Sequence, residues 1–191
     1  MEPTPDIVVR PLEAPDIPAV CALETAIFHR GWSEDAYRAE LDNPASAWLV
    51  AVHGTKVVGF GGLMRIVDEA HVTTLAVADN YRGLGLGKRL LVRMLEDAMA
   101  HGVLRATLEV AAGNQIAQAL YARFGFEHAA IRRNYYPDTG EDADILWIHA
   151  MDDPDWKARF DILRSEGMQS AGVDRKQRTE TSTGLSTDTK P

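Results

Sequence analysis

The residues from His71 to Ala100 constrain the fold more than any other part of the chain. They begin with a β-branched and apolar run, His71–Val77, which predicts a strand. A turn over Arg82–Lys88 follows, with glycines at positions 83, 85 and 87. Behind the turn, apolar residues recur at helical spacing up to Gly102, which suits a C-terminal cap. The stretch therefore predicts a strand, a glycine-rich turn and a long amphipathic helix.

The glycine-rich turn has the properties of a phosphate-binding loop. Glycine allows a close backbone approach by a ligand, and the N–H groups at a helix N-terminus attract anions. A Walker A loop would need glycine in place of Arg82 and serine or threonine in place of Arg89. The dinucleotide fingerprint would need glycine in place of Lys88. What remains is the pattern R-x-x-G-x-G after a strand, or else an ordinary glycine-rich connection.

Two motifs resemble those of the GNAT superfamily of acyl-CoA N-acyltransferases. The first is R-x-x-G-x-G over Arg82–Gly87, which is similar to the pyrophosphate loop of that superfamily. The second is N-x-x-A-x-x-L-Y-x-x-x-G-F over Asn114–Phe126. Together they favour the phosphate loop over an ordinary turn. The resemblance implies an acyltransferase with acetyl-CoA as its co-substrate.

Length and composition indicate one globular, acidic domain. The chain has 191 residues, 46% of them apolar, and 20 basic against 28 acidic side chains give a net charge of −8. Such a charge disfavours nucleic acid as a partner and suits a basic peptide. The single cysteine, Cys21, excludes an intrachain disulfide and a cysteine-rich zinc site, so no metal site is predicted. We recognise no signal peptide or membrane-spanning run, and therefore expect a cytoplasmic protein without a membrane partner.

The hydrophobic pattern predicts the element order β, α, α, β, β, β, α, β, α, β, β. This order is expected to form a mixed α/β (α+β) fold whose central sheet is mostly antiparallel and flanked by helices. It resembles the GNAT fold over Ile7–Met151, and Arg132–Gly140 is predicted to be a turn-rich connection. The predicted strands are Ile7–Leu12, Ala47–Val52, Lys56–Met64, His71–Val77, Ala106–Val110, Phe126–Ile131 and Ala143–Met151.

The chain is predicted to divide into a domain and a C-terminal extension. Residues 1–151 would form the GNAT N-acetyltransferase domain. Residues 152–167 suit a helix with Trp156, Phe160 and Leu163 on one face. Residues 168–191 are rich in serine and threonine and poor in large apolar groups, which predicts a disordered tail.

The resemblance also implies where acetyl-CoA binds. The strand through Leu75 and the strand through Glu109 would splay apart, and the pantetheine arm would pair with backbone groups in the gap. The glycine-rich loop would surround the pyrophosphate, and Asn114 would both cap the next helix and touch the cofactor. The implied cofactor-binding residues are Leu75, Ala76, Val77, Arg82, Gly83, Leu84, Gly85, Leu86, Gly87, Lys88 and Asn114.

Acetyl transfer to an amine needs a base for the amine, stabilisation of the oxyanion and a proton for the leaving thiolate. Glu109 is the candidate base, since strand alternation points it away from the core; it could also be a solvated surface residue. Tyr121 is the candidate acid, one residue past Leu120 and outside a predicted apolar face of Ile116, Leu120 and Phe124; it could also serve in packing or contact CoA. Cys21 is interpreted as a core residue, so direct attack in a ternary complex is favoured over a covalent intermediate.

Further residues resemble one branch, the ribosomal-protein-alanine N-acetyltransferases. They are Trp32-Ser33, Asp68-Glu69-Ala70, Leu108-Glu109-Val110 and Arg132–Pro137. In this branch the residues matching Glu109 and Tyr121 act as base and acid, and the partner is the N-terminal peptide of a ribosomal protein. The chain departs from the branch at Ala111 and Gly113, where arginine and serine are common. Other protein N-termini, lysine side chains, a small amine and a non-catalytic acyl-CoA-binding module remain alternatives, and the oligomeric state is open.

Overall fold

The structure is a computed structural model that describes residues 6–28 and 31–181, with side chains described up to residue 167. These residues form seven strands and five α-helices in the predicted order, with the C-terminal helix last. The strands are β1 (Ile7–Pro11), β2 (Ser46–His53), β3 (Lys56–Ile66), β4 (Glu69–Val77), β5 (Arg105–Ala111), β6 (Glu127–Tyr136) and β7 (Glu141–Ile148). The helices are α1 (Ile17–Phe28), α2 (Glu34–Leu41), α3 (Leu86–Ala100), α4 (Gln115–Arg123) and α5 (Pro154–Thr181).

The strands form one sheet in the order β1-β2-β3-β4-β5-β7-β6. All neighbouring pairs are antiparallel except β4 and β5, which run parallel because α3 returns the chain to the opposite end of the sheet. The mixed and mostly antiparallel fold is therefore confirmed. The insertion of β7 between β5 and β6 is not contained in the hydrophobic pattern, which carries no information on strand order.

The helices cover both faces of the sheet. On one face, α3 packs over β2, β3 and β4, with α4 close beside it. Buried members of the first core cluster on this face include Leu90, Leu91, Met94, Leu108, Val110, Tyr121 and Phe124. On the other face, α1 and α2 pack on a second core cluster that includes Ile17, Val20, Tyr37, Val50 and Phe60. Cys21 packs against the second cluster, and burial raises the pKa of its thiol. This location supports its interpretation as a core residue.

The segment Arg132–Gly140 differs from its prediction. Strand β6 continues to Tyr136, so the prediction of a turn was wrong for its first half. The strand accommodates the irregular sequence through a register shift between Arg132 and Tyr136. Within this shift Asn134 has φ 52°, and its N–H donates to Asp142 Oδ1 at 2.9 Å. A side chain of β7 thus stabilises a backbone conformation that asparagine tolerates better than most residues.

The last helix, α5, starts at Pro154, where the carboxylate of Asp153 accepts from the N–H of Trp156 at 3.1 Å. Trp156, Phe160 and Leu163 are buried in the first core cluster, and Trp156 Nε1 donates to the carbonyl of Phe124 at 2.8 Å. The helix runs to Thr181 and so passes the predicted start of the tail at residue 168. Residues 182–191 of that tail lie outside the described residues. In the described part of the chain, no helix has both the length and the apolar character needed to cross a membrane.

Candidate active site

The parallel strands β4 and β5 separate part of the way along their length. Their register runs from Glu69 opposite Arg105 to Val72 opposite Leu108, and the described residues show no pair beyond it. On its other side β4 stays paired with β3 as far as Val77, across a register shift between Gly62 and Leu63. The edge of residues 73–77 that faces β5 is therefore open. This is the gap that the GNAT resemblance implies.

The predicted cofactor residues of β4 line this gap with their backbone. Leu75 and Val77 pack against the first core cluster, and Ala76 is buried in the second. Their side chains are thus used for packing on opposite faces of the sheet. What they can offer a ligand in the gap is the N–H and C=O groups of an unpaired strand edge.

The glycine-rich loop fits a pyrophosphate group. Gly83 and Gly85 have φ 78° and 73°, and no atom lies within 4 Å of where a Cβ would stand on either. Helix α3 begins directly after Gly85, so its first N–H groups have no partner within the helix and can bind anionic oxygens. Arg82 is exposed beside the loop, with its guanidinium 2.9 Å from Asp79 Oδ1.

The side chains of the same loop have different surroundings. Leu84 is exposed, whereas Leu86 is buried in the first core cluster. A Cβ on Gly87 would lie 3.3 Å from Leu120 Cδ2, so this glycine allows α3 and α4 to approach closely. All of these loop residues can offer backbone N–H groups to a phosphate. The side chain of Leu86 cannot contact the phosphate, because it is buried in the core.

The Lys88 side chain makes a contact that the sequence did not indicate. Its ammonium donates to Glu166 Oε2 on α5 at 3.0 Å, and Arg123 donates to the same oxygen at 2.8 Å. The hydrogen bond from Lys88 holds the pKa of the Glu166 carboxyl below its usual range. Lys88 thus connects the glycine-rich loop to the C-terminal helix, a contact that the loop motif alone does not imply.

Asn114 caps helix α4 as predicted, because its Oδ1 accepts from the N–H of Ala117 at 3.1 Å. The preceding residue, Gly113, is one of the departures from the ribosomal-protein-alanine branch. Its N–H donates to Glu141 Oε1 at 2.7 Å, and a Cβ on Gly113 would lie 2.7 Å from that same oxygen. A serine here would therefore require the Glu141 side chain of β7 to move.

Glu109 lies on the face of β5 opposite Leu108 and Val110, as strand alternation predicts. Its side chain is only 10% exposed, which contradicts the alternative of a solvated surface residue. Oε2 lies 2.6 Å from His71 Nε2 on β4, and Oε1 lies 3.0 Å from the guanidinium of Arg132 on β6. The sequence places His71 at the start of the predicted strand before the glycine-rich turn and Arg132 in a motif of the resembling branch. It does not predict their contacts with Glu109, because these depend on strand order and register.

Tyr121 lies on the opposite face of the sheet, in α4. It is 7% exposed and packs edge-on against Phe126 with 5.7 Å between the ring centroids. Burial raises the pKa of its phenol, and the nearby Tyr136 raises it further, so the hydroxyl keeps its proton at neutral pH. The predicted apolar face of α4 was wrong at Ile116, which is 82% exposed. The helix turns Tyr121 inward instead.

The arrangement places a carboxylate and a phenol on the two sides of a split sheet. Glu109 is reached from the face covered by α1 and α2, and Tyr121 belongs to the face covered by α3 and α4. The gap between β4 and β5 connects these faces. Within residues 6–28 and 31–181, no group of three or more His, Cys, Asp and Glu side chains is placed to hold a metal ion.

Comparison with known proteins agrees with this geometry. The model of the acetyltransferase (GNAT) family matches residues 17–126. The chain belongs to the GNAT acetyltransferase family. Among its relatives is the ribosomal protein bS18-alanine N-acetyltransferase of Escherichia coli strain K12, with 36% identity covering 71% of this chain and 92% of the relative. The N-alpha-acetyltransferase RimI of Mycobacterium tuberculosis is 34% identical, covering 73% and 90%.

Solved structures give the same result for this GNAT acetyltransferase. The crystal structure of the ribosomal-protein-S18-alanine N-acetyltransferase from Escherichia coli superposes with a TM-score of 0.68 and 32% identity, covering 78% of this chain and 97% of that one. The chain is therefore an enzyme rather than a binding module, and acetyl-CoA is its acyl donor.

Proposed function

We propose that this GNAT acetyltransferase acetylates the N-terminal α-amine of a ribosomal protein that begins with alanine. The observation that carries the proposal is the placement of Glu109 and Tyr121 on the two sides of the gap between β4 and β5. An amine arriving on one face and a thiol leaving on the other would each meet the group it needs. The printed names of the bacterial relatives support alanine at the acceptor N-terminus.

Acetyl-CoA supplies an activated thioester, and the residues of the chain move protons and exclude water. Glu109, held by Arg132 and His71, supplies the negative charge that drives deprotonation of the attacking amine. Tyr121 donates its phenolic proton to the sulfur as it leaves. Cys21 lies in α1 and packs against the second core cluster, so it is not used as a nucleophile, and the amine attacks acetyl-CoA directly in a ternary complex.

The choice of an α-amine over a lysine has a physical basis. An α-amino group titrates near 7.7–8.0 and a lysine near 10.4, as typical values. At pH 7 roughly a tenth of the α-amine is already neutral, against less than about a thousandth of the lysine. The α-amine therefore needs little further deprotonation, and the charge of one carboxylate suffices to drive it. The acidic surface of the enzyme, with its net charge of −8, suits a basic N-terminal segment, and we place the reaction in the cytoplasm.

The proposal is tested by measuring kcat/KM for an alanine N-terminal peptide, a lysine peptide with a blocked N-terminus, and a polyamine. The alanine peptide is expected to be the best acceptor. Preference for the lysine peptide or the polyamine would contradict the proposed substrate.

The two catalytic roles are separated by pH. Glu109→Gln is expected to lower kcat/KM by about 10²–10⁴-fold near pH 7, and less at pH 9, where the amine arrives neutral. Tyr121→Phe should cost less and should not be rescued by base, because it removes only the proton donor to sulfur. If base instead rescues Tyr121→Phe and leaves the loss in Glu109→Gln unchanged, the roles are assigned wrongly.

A further inference from the structure

Both carboxylate oxygens of Glu109 already have partners, and this bears on where the amine proton goes. His71 occupies one oxygen at 2.6 Å and Arg132 the other at 3.0 Å. The His71 side chain is 36% exposed, whereas that of Glu109 is 10% exposed. The imidazole is therefore the more accessible of the two groups to an amine that approaches this face from solvent.

We propose that His71 is the catalytic residue through which Glu109 acts on the amine: its imidazole takes the amine proton, and the Glu109 carboxylate orients the ring and stabilises the imidazolium; this rests on the proposed function. The amine nitrogen forms a bond to the acetyl carbon as the bond from that carbon to sulfur breaks. The amine proton moves to His71 Nδ1, and the sulfur receives the proton of Tyr121. Solvent then removes the proton from His71 and returns one to Tyr121.

The hydrogen bond to Glu109 determines which imidazole nitrogen is free. An ionised carboxylate can only accept, so Nε2 of His71 must be the donor in this contact. In a neutral imidazole the other nitrogen, Nδ1, then carries the lone pair. The same logic operates in Ser-His-Asp sites, where the carboxylate fixes the tautomer and stabilises the imidazolium.

The position of His71 in β4 suits this role. It pairs with Thr107 one step before the last pair of β4 and β5, and therefore stands at the mouth of the gap. Its partner on β3 is Met64, which is uncharged. The charged groups on its face are Glu109 with Arg132 and, two pairs along the register, Arg105, which lies 3.3 Å from Glu69.

The chain offers a matched control on the other face of the sheet. His128 also pairs with a carboxylate, with Nε2 at 3.2 Å from Asp144 Oδ1. Asp144 lies opposite Val110 in the register and accepts from Gln118 of α4, so this pair is on the α4 face. His128→Ala removes an imidazole–carboxylate pair without touching the amine side of the gap.

The test compares His71→Ala, His71→Gln and His128→Ala in kcat/KM for the alanine N-terminal peptide. Glutamine still donates to Glu109 but cannot take a proton. Both His71 variants are expected to lose about 10²–10⁴-fold, mainly in kcat, whereas His128→Ala keeps full activity. Added imidazole should restore part of the activity of His71→Ala. Full activity of His71→Gln would show that the ring only orients Glu109, and would overturn the proposal.

Two further measurements do not depend on the size of that loss. Nitrogen-15 NMR of the enzyme without substrates should show the His71 ring protonated at Nε2, and Glu109→Gln should change this signature. The double variant His71→Ala with Glu109→Gln should be no slower than the slower single variant, because the two residues act as a unit. If the fold-losses of the two single variants multiply in the double variant, or if the His71 ring carries its proton on Nδ1, His71 and Glu109 do not act as a unit and the proposal is refuted. An enzyme inactive on every amine would overturn the proposed function instead, while the NMR result would still stand for His71.

Discussion

The glycine-rich loop allows a prediction in which protein stability and cofactor affinity are separated. Gly85 precedes α3 with φ 73° and ψ 11°, a left-handed conformation. Alanine at this position meets no atom within 4 Å, so its cost comes from the backbone alone. That cost is roughly 1–2 kcal/mol for an L-residue in this region. In a domain of this size it lowers Tm by about 2–8 °C.

The effect on acetyl-CoA should be larger than the effect on folding. If the backbone at Gly85 relaxes away from φ 73°, the N–H groups at the start of α3 turn from the pyrophosphate. A hydrogen bond to a charged group contributes about 1.5–3 kcal/mol. Losing one such bond weakens acetyl-CoA binding roughly 10- to 150-fold, since about 1.4 kcal/mol corresponds to a factor of ten.

Gly54 provides the matched control. It lies in the turn between β2 and β3 with φ 61°, and an added Cβ there also meets no atom within 4 Å. Gly54→Ala and Gly85→Ala should therefore have similar Tm values, whereas only Gly85→Ala should weaken binding. Calorimetric titration with acetyl-CoA and thermal melting of both variants make the comparison. Unchanged affinity in Gly85→Ala, or an equal loss in Gly54→Ala, would refute the loop as the phosphate site.

Two predictions concern the rest of the chain. Deleting residues 168–191 should leave kcat/KM unchanged. Deleting residues 154–191 removes the buried Trp156, Phe160 and Leu163, whose burial stabilises the fold by roughly 4–9 kcal/mol, and should prevent folding. Circular dichroism and activity assays of both truncated proteins test this, and a folded but inactive 1–167 protein would place the tail in the active site. The hydrogen bonds from Arg10 hold the pKa of Asp16 below its usual range in the folded protein. The ionised carboxylate therefore stabilises the fold fully at pH values above the ordinary aspartate pKa, and this stabilisation is lost as the pH falls through the pKa of Asp16 in the folded state. Asp16→Asn should therefore lower Tm at pH 7 and flatten the decline of Tm in acid, as thermal melts across pH would show; an unchanged Tm at pH 7 would contradict this.

The sequence by itself determined most of the helices and strands and the glycine-rich turn of this protein. Alternation and helical spacing depend on neighbouring residues only, so the helix after Gly85, the cap at Asn114 and the inward face of α5 follow from local pattern. The same alternation turned Glu109 away from Leu108 and Val110. These features require no knowledge of which strands become neighbours.

Only the tertiary structure decided what surrounds the candidate catalytic groups. His71, Glu109 and Arg132 come from three different strands, and their meeting depends on the parallel register of β4 with β5 and on the insertion of β7 before β6. The bond of Lys88 to Glu166 depends likewise on where α5 docks. Local patterns set what each segment forms, whereas the pairing of distant segments is set by the packing of the whole core, which no short stretch of sequence contains.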